Sequence, residues 1–117
     1  MLFLEYPPCT TCKKAKKWLQ DHGLEFTARH IKVENPSAEE LALWLEKSGL
    51  ELKKFFNTSG LVYKNLGLKD KLPAMSREEQ FQLLASDGML VKRPILVTED
   101  TVLVGFKEKD WEKLLQK

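Results

Sequence analysis

Two cysteines separated by two residues are the part of this sequence with the clearest chemical potential. Cys9 and Cys12 are the only cysteines among the 117 residues, and Thr10 and Thr11 lie between them. A thiolate at a helix start is stabilised by unpaired backbone N–H groups and by the positive end of the helix dipole. In such motifs the pKa of a cysteine falls from about 8.5 to roughly 3.5–7.5. We therefore predict a redox-active pair, with Cys12 one turn on and able to attack a mixed disulfide at Cys9.

Two other interpretations of the cysteine pair remain open. A structural zinc site needs further ligands, but the sequence has no third cysteine, and the spacing of His22 and His30 does not match a zinc finger. The two cysteines could also be small buried residues with a purely structural role and no redox chemistry. A strand before the motif and a helix after it would favour the redox interpretation.

The residues around the cysteines predict this strand and helix. The apolar run at residues 2–6 ends at two consecutive prolines, as expected of a buried strand that stops there. Apolar residues then recur at helical spacing until Gly23, a residue type typical of the position after a helix. Thr10 or Thr11 is expected to be the N-cap. The cysteine turn would thus lie between a strand and a helix.

The remaining elements follow from the same rules. Capping boxes formed by Ser37 with Glu40 and by Ser76 with Glu79 predict the starts of two further helices. Strands are expected at residues 25–33, 93–97 and 101–104, the last two forming a hairpin. Short helical turns are expected between residues 52 and 66, and an amphipathic helix near the C-terminus. The apolar helix faces predict core positions for three tryptophans: Trp18, Trp44 and Trp111.

The order of these elements predicts an α/β fold of the thioredoxin-like type. A βαβ unit implies two parallel strands joined by a right-handed crossover, and the closing hairpin adds antiparallel strands. The simplest assembly is a four-stranded mixed sheet (βαβ…ββα) covered by helices. We expect one domain, residues 1–117, with a helical insertion between the halves at roughly residues 37–90.

Composition limits the classes of function. The net charge of +2 gives no strong argument for nucleic acid, and no Gly-rich nucleotide motif is present, so no bound cofactor is expected. No segment reaches the roughly 18 uninterrupted apolar residues of a membrane helix, and the N-terminus does not resemble a signal peptide. We expect a cytoplasmic monomer with no direct nucleic-acid or membrane partner.

The sequence resembles the arsenate reductase/Spx (ArsC-like) family of thioredoxin-fold proteins over nearly its whole length. The resemblance rests on five stretches, at residues 6–15, 34–37, 57–60, 92–97 and 104–108. Their sequences, in order, are YPPCTTCKKA, ENPS, NTSG, KRPILV and VGFKE. The first and fourth stretches, in this order and separation, are the most specific part of the match.

The resemblance implies roles for particular residues. Cys9 matches the family's nucleophile, Arg93 an arginine that holds an oxyanion or the thiolate, and Pro94 a cis-proline beside the site. Substrate contacts are expected at Thr10, Thr11 and Pro94. Arsenate reductases of this type carry three arginines around the cysteine, of which only the equivalent of Arg93 is present. The other two positions fall at residues 57–59 and near residues 105–106.

Two functions follow from this resemblance. The first is a thiol-disulfide oxidoreductase that acts on a small oxyanion, glutathione or a protein disulfide, with Cys12 as resolving cysteine and glutathione or thioredoxin as reductant. The second is an Spx-type redox-sensing transcriptional regulator, which would bind the α subunit of RNA polymerase and switch when Cys9 and Cys12 form a disulfide.

Overall fold

A mixed four-stranded sheet forms the centre of the protein in the computed structural model, which describes residues 1–115. The strand order is β2-β1-β3-β4, with β1 parallel to β2 and antiparallel to β3, and β3 antiparallel to β4. The strands are β1 (Leu2–Glu5), β2 (Thr27–His30), β3 (Ile95–Val97) and β4 (Val102–Val104). This arrangement confirms the predicted thioredoxin-like α/β fold.

Six α-helices surround the sheet in the described part of the chain. They are α1 (Thr10–Asp21), α2 (Ala38–Ser48), α3 (Leu61–Asn65), α4 (Leu68–Lys71), α5 (Arg77–Ser86) and α6 (Glu108–Glu112). Short 3₁₀ turns complete the helical regions at Leu52–Phe55, Leu72–Ala74, Gly88–Leu90 and Lys113–Leu115. The helices from α2 to α5 all lie between β2 and β3, where the insertion was predicted.

The start of α1 differs from the prediction. Its N-cap is Cys9, with an extended backbone conformation, rather than Thr10 or Thr11. The N–H of Cys9 donates to the carbonyl of Tyr6 (2.8 Å), and the carbonyl of Cys9 accepts the first helical bond from Lys13 (3.0 Å). The two prolines fill this tight turn, so the helix begins directly after the first cysteine.

Two strands, β2 and β3, are shorter than predicted by two residues or more, and the other two by one residue each. The pairing of β2 with β1 ends at His30, opposite Glu5. Strand β1 itself ends at Glu5, shortly before the two prolines. On the other side of β1, strand β3 starts at Ile95 and not at Arg93. The preceding Pro94 has no N–H to donate to a ladder, so pairing begins after it.

The core has two parts, one on each face of the sheet. Strand β1 alternates between them, with Phe3 on the face covered by α1 and α6, and Leu4 on the face covered by the inserted helices. Trp18 and Trp111 lie in the first part and Trp44 in the second, each at most 5% exposed. The predicted core positions of all three tryptophans are confirmed, and each buries a large apolar area.

Both predicted capping boxes are present and fix helix starts. Ser37 and Glu40 form the box of α2, and Ser76 and Glu79 form the box of α5. Glu40 also forms a bidentate ion pair with Arg29 of β2, at 2.7 and 2.9 Å. One carboxylate therefore ties the inserted helices to the sheet.

Replacing this carboxylate should destabilise the fold in a pH-dependent way. The Arg29 guanidinium, outweighing partial burial, lowers the pKa of Glu40 to about 2 from 4.5. The stabilisation is thus complete above about pH 4.5 and is lost as the pH falls towards 2. Glu40→Gln should lower the free energy of unfolding by about 1 kcal/mol at pH 7, since the pair is partly screened by solvent.

Urea unfolding at pH 7 and at pH 2.5 measures this difference. The effect of Glu40→Gln should be clearly smaller at pH 2.5 than at pH 7. Glu39→Gln, an exposed neighbour on the same helix, is the matched control and should change little at either pH. An equal loss for Glu40→Gln at both pH values would contradict the ion-pair explanation.

Candidate redox site

The two cysteines occupy different depths at the start of α1. Cys9 is partly exposed, whereas Cys12 is fully buried, and both are free thiols. The N–H of Tyr6, just beyond β1, donates to the sulfur of Cys12 at 3.5 Å. A reagent from solvent therefore reaches Cys9 first, with Cys12 behind it in the first turn of the helix.

The surroundings of Cys9 favour its thiolate. Partial burial opposes ionisation, but it is outweighed by the backbone N–H of Cys12, the thiol of Cys12, the N–H of Thr11 and the charge of Arg93. Together these groups lower the pKa of Cys9 below its usual value. The N-cap position explains the two N–H groups, because the first amides of a helix have no partner within the helix.

The surroundings of Cys12 have the opposite effect. Burial is the main cause that raises the pKa of Cys12 to about 12, and the hydrogen bond and negative charge at Cys9 add to it. The N–H of Tyr6 and the charge of Arg93 act against this rise but do not cancel it. The two neighbouring thiols therefore have opposite pKa shifts, Cys9 towards the thiolate and Cys12 towards the protonated form.

Arg93 is held beside the cysteines by contacts from two directions. Its guanidinium lies over the ring of Tyr6, 5.1 Å from the ring centroid, and its Nη1 donates a long bond of 3.5 Å to the carbonyl of Met89. Its buried Nε has no hydrogen-bond partner. A buried guanidinium N–H without an acceptor carries a desolvation cost.

The loop that carries Arg93 is fixed on its other side by a glycine. The peptide bond between Arg93 and Pro94 is cis, as the family resemblance implied. The carbonyl of Pro94 accepts from the N–H of Gly105 (2.8 Å), whose own carbonyl accepts from the indole of Trp111 (3.2 Å). Gly105 has φ +77°, which side-chain-bearing residues rarely adopt.

A cavity of about 1120 Å³ opens next to the cysteine turn. Thr11 and Arg93 line it, whereas Thr10 is exposed at the helix start and does not. Thr58, Gly105 and Phe106 also line it. These three occupy the positions expected for the two missing arginines, so Arg93 is the one arginine of the chain in this cavity.

The site thus combines most of the predicted residues with some that the sequence did not reveal. Cys9, Cys12, Thr11, Arg93 and Pro94 lie in one region of the structure, and their predicted roles in substrate binding and reaction stay predictions. The ring and amide of Tyr6 and the carbonyl of Met89 were missed. Tyr6 was visible only as the last residue before two prolines, and a backbone carbonyl leaves no signal in a sequence.

Two absences hold for the part of the chain that the structure describes. Within residues 1–115, no group of three or more His, Cys, Asp or Glu side chains is placed so that it could hold a metal ion. Within the same residues, no helix has the length and apolar character needed to cross a membrane.

The fold and the site define a class, that of thioredoxin-like proteins with a cysteine pair at the start of the first helix. The particular family follows from comparison with known proteins. Residues 4–114 match the model of the ArsC family. The chain therefore belongs to the ArsC family.

Individual relatives agree with this assignment. The chain is 57% identical over 113 residues to the uncharacterized protein YusI of Bacillus subtilis, covering 97% of this chain and 96% of YusI. It is 34% identical over 117 residues to the regulatory protein MgsR of the same species, covering 100% of this chain and 91% of MgsR. Among solved structures, an ArsC family related protein from Bacteroides fragilis shares 61% identity with a TM-score of 0.94, covering 97% of this chain and 95% of its own.

Removal of the Arg93 charge should make Cys9 less reactive. The positive charge favours the thiolate, so Arg93→Met should raise the pKa of Cys9 and slow its alkylation by iodoacetamide several-fold at pH 7. The pH dependence of the alkylation rate, mapped to Cys9 by mass spectrometry, gives the pKa directly.

Arg77→Met is the matched control, because it removes the same charge from α5, where Arg77 is exposed. It should leave the alkylation profile of Cys9 unchanged. An unchanged profile for Arg93→Met as well would show that Arg93 does not act on the thiolate.

Proposed function

We propose that the protein is a thiol-disulfide oxidoreductase in which Cys9 is the nucleophile and Cys12 the resolving cysteine. The observation that carries this proposal is the asymmetry of the pair. Cys9 is accessible and has a lowered pKa, while Cys12 is buried with its pKa raised to about 12. An exposed thiolate in front of a protonated thiol is the arrangement that a two-step exchange requires.

The first step is the attack of the Cys9 thiolate on one sulfur of a substrate disulfide. A bond forms between Cys9 and that sulfur, the substrate S–S bond breaks, and the other sulfur leaves as a thiolate. Cys12 then gives its proton to the thiolate released in the first step and attacks the sulfur of Cys9; the mixed disulfide breaks and the second substrate sulfur leaves as a thiolate. The substrate gains two electrons and the protein ends with a Cys9–Cys12 disulfide.

The timing of the second step follows from the electrostatics of the pair. While Cys9 is a thiolate, its hydrogen bond and negative charge help keep Cys12 protonated. When Cys9 enters a mixed disulfide, both effects disappear. The N–H of Tyr6 and the charge of Arg93 remain, and both lower the pKa of Cys12. Cys12 therefore becomes a better nucleophile at the moment when its attack is needed.

The lining of the cavity supports disulfides rather than arsenate as substrate. A tetrahedral oxyanion is best held by several planar guanidinium groups. Arg93 is present, but Thr58, Gly105 and Phe106 stand at the positions of the other two arginines. One arginine suffices to stabilise a single thiolate, and the charge of Arg93 favours the thiolate of Cys9.

Regeneration completes the proposed cycle. Two glutathione molecules, or the dithiol of thioredoxin, would reduce the Cys9–Cys12 disulfide. Their two thiols would be oxidised to a disulfide in this step. We place this activity in the cytoplasm, where these reductants keep thiols reduced.

Single cysteine variants test the order of the two steps. Cys9→Ser should abolish reduction of a mixed disulfide of glutathione, because no nucleophile remains at the entrance. Cys12→Ser should instead accumulate a covalent adduct of glutathione on Cys9, visible by mass spectrometry. Turnover in Cys9→Ser, or an adduct on Cys12 in the native protein, would refute the assignment.

A redox-sensing regulator is the second candidate, and the position of Tyr6 favours it. The N–H of Tyr6 contacts the sulfur of Cys12, and the Arg93 guanidinium lies over the Tyr6 ring. The same ring forms a T-shaped contact with His30, with 5.8 Å between the ring centroids. A disulfide between Cys9 and Cys12 would change the partner of the Tyr6 amide and so disturb this surface. MgsR, a regulatory protein by name, is similar over the whole chain.

A pull-down with the C-terminal domain of the RNA polymerase α subunit separates the two candidates. A regulator should bind it in one redox state several-fold more strongly than in the other. Absence of binding in both the oxidised and the reduced state would exclude this second function.

A further inference from the structure

The cavity beside Arg93 is richer in positive charge than the chain as a whole. Six basic and three acidic side chains line it, although the net charge of the whole chain is only +2. The basic residues are Lys53, Lys54, Lys92, Arg93, Lys107 and Lys113. Asp110 and Lys113 pair with each other at 3.8 Å, and besides this pair the lining has five basic and two acidic side chains. The cavity therefore presents a positive surface that leads to the redox site.

Backbone hydrogen bonds hold one wall of this cavity in place. The N–H of Lys92 donates to the carbonyl of Phe55, and the N–H of Asn57 to the carbonyl of Leu90, both at 2.7 Å. These bonds fasten the turn carrying Lys53 and Lys54 to the segment that carries Arg93. The backbone segments that carry Lys53, Lys54, Lys92 and Arg93 are therefore held against each other.

The C-terminal part of the chain supplies a large share of the cavity lining. Residues 101–107, which contain all of β4, line it, and α6 and the turn after it close its far side. A Cβ built on Gly105 would lie 3.6 Å from Cε of Lys92. The aliphatic part of the Lys92 side chain therefore packs next to Gly105. Apolar side chains, including Leu50, Phe106 and Leu114, line the cavity together with the lysines.

We propose that this cavity binds an acidic segment of a protein substrate, whose disulfide is then presented to Cys9. The inference rests on the proposed oxidoreductase function and names its substrate class. A volume of about 1120 Å³ exceeds what a small oxyanion needs and lies at the upper end of ordinary ligand pockets. Glutamate and aspartate side chains complement the lysines, and apolar side chains complement Leu50 and Phe106.

Mixed disulfides with one common leaving group test this inference. Each probe is a short peptide whose central cysteine carries thionitrobenzoate. The Cys9 thiolate bonds to the peptide sulfur, the probe disulfide breaks, and coloured thionitrobenzoate leaves. One peptide alternates glutamate with leucine and the other lysine with leucine. A thionitrobenzoate disulfide of mercaptoethanol serves as the small reference.

The native protein should react about tenfold faster with the glutamate peptide than with the lysine peptide at low ionic strength, and salt should reduce this ratio. The double variant Lys53→Glu/Lys107→Glu should bring the ratio close to one or invert it. Lys69→Glu/Lys71→Glu makes the same change of net charge at exposed lysines outside the cavity and should preserve the ratio.

The outcomes distinguish failure of the inference from failure of the proposed function. If the small reference releases no thionitrobenzoate, the oxidoreductase function fails and the inference falls with it. If the reference reacts but the two peptides react equally, or if both double variants change the ratio alike, the acidic-segment inference is overturned and the function stands. Tighter binding of a single-stranded oligonucleotide than of the glutamate peptide would assign the cavity to nucleic acid instead.

Discussion

The turn from β1 into α1 is the constraint on which the site depends. Two prolines close this turn, and the bond from the N–H of Cys9 to the carbonyl of Tyr6 makes Cys9 the N-cap of the helix. This placement gives the Cys9 sulfur the free amides of the first turn and buries Cys12 behind it. The same turn leaves the N–H of Tyr6 facing the Cys12 sulfur. A single local geometry therefore sets opposite ionisation tendencies on the two thiols.

The other half of the site comes from residues that are distant in sequence and must be brought to this turn. Arg93 is positioned by its contacts with the ring of Tyr6 and the carbonyl of Met89. The next residue, Pro94, follows a cis peptide bond, and its carbonyl accepts a hydrogen bond from Gly105. The inserted helices contribute by pairing residues 55–57 with residues 90–92 ahead of Arg93. The insertion thus supports the arginine as well as forming one wall of the cavity.

The sequence predicts the local parts of this arrangement well, because local patterns carry their own physical signals. The spacing of Cys9 and Cys12, the prolines before them and the capping boxes of Ser37 and Ser76 each depend on a few neighbouring residues. The N-cap was placed one or two residues too late, because threonine is a common cap and cysteine is not. Helix α4 was missed, since it is one turn long and has no side-chain cap.

Contacts between distant segments could not be predicted in the same way. Nothing in the neighbourhood of Tyr6 indicates that its ring supports Arg93, and nothing near Arg93 indicates that its Nε is buried without a partner. The family resemblance did indicate that Arg93 and Pro94 lie near the cysteines. The basic character of the cavity was hidden by the overall charge, because its lysines come from several separate segments.

The hydrogen bond from Trp111 to Gly105 has an optical consequence. The indole of Trp111 is almost fully buried, and its N–H bonds to the residue that holds Pro94. Indole emission depends on the polarity and hydrogen bonding of its surroundings, so a movement of the Arg93–Pro94 loop would be transmitted to a chromophore that the protein already contains. The protein thus carries an intrinsic fluorescent reporter that Gly105 connects to the loop of the candidate redox site.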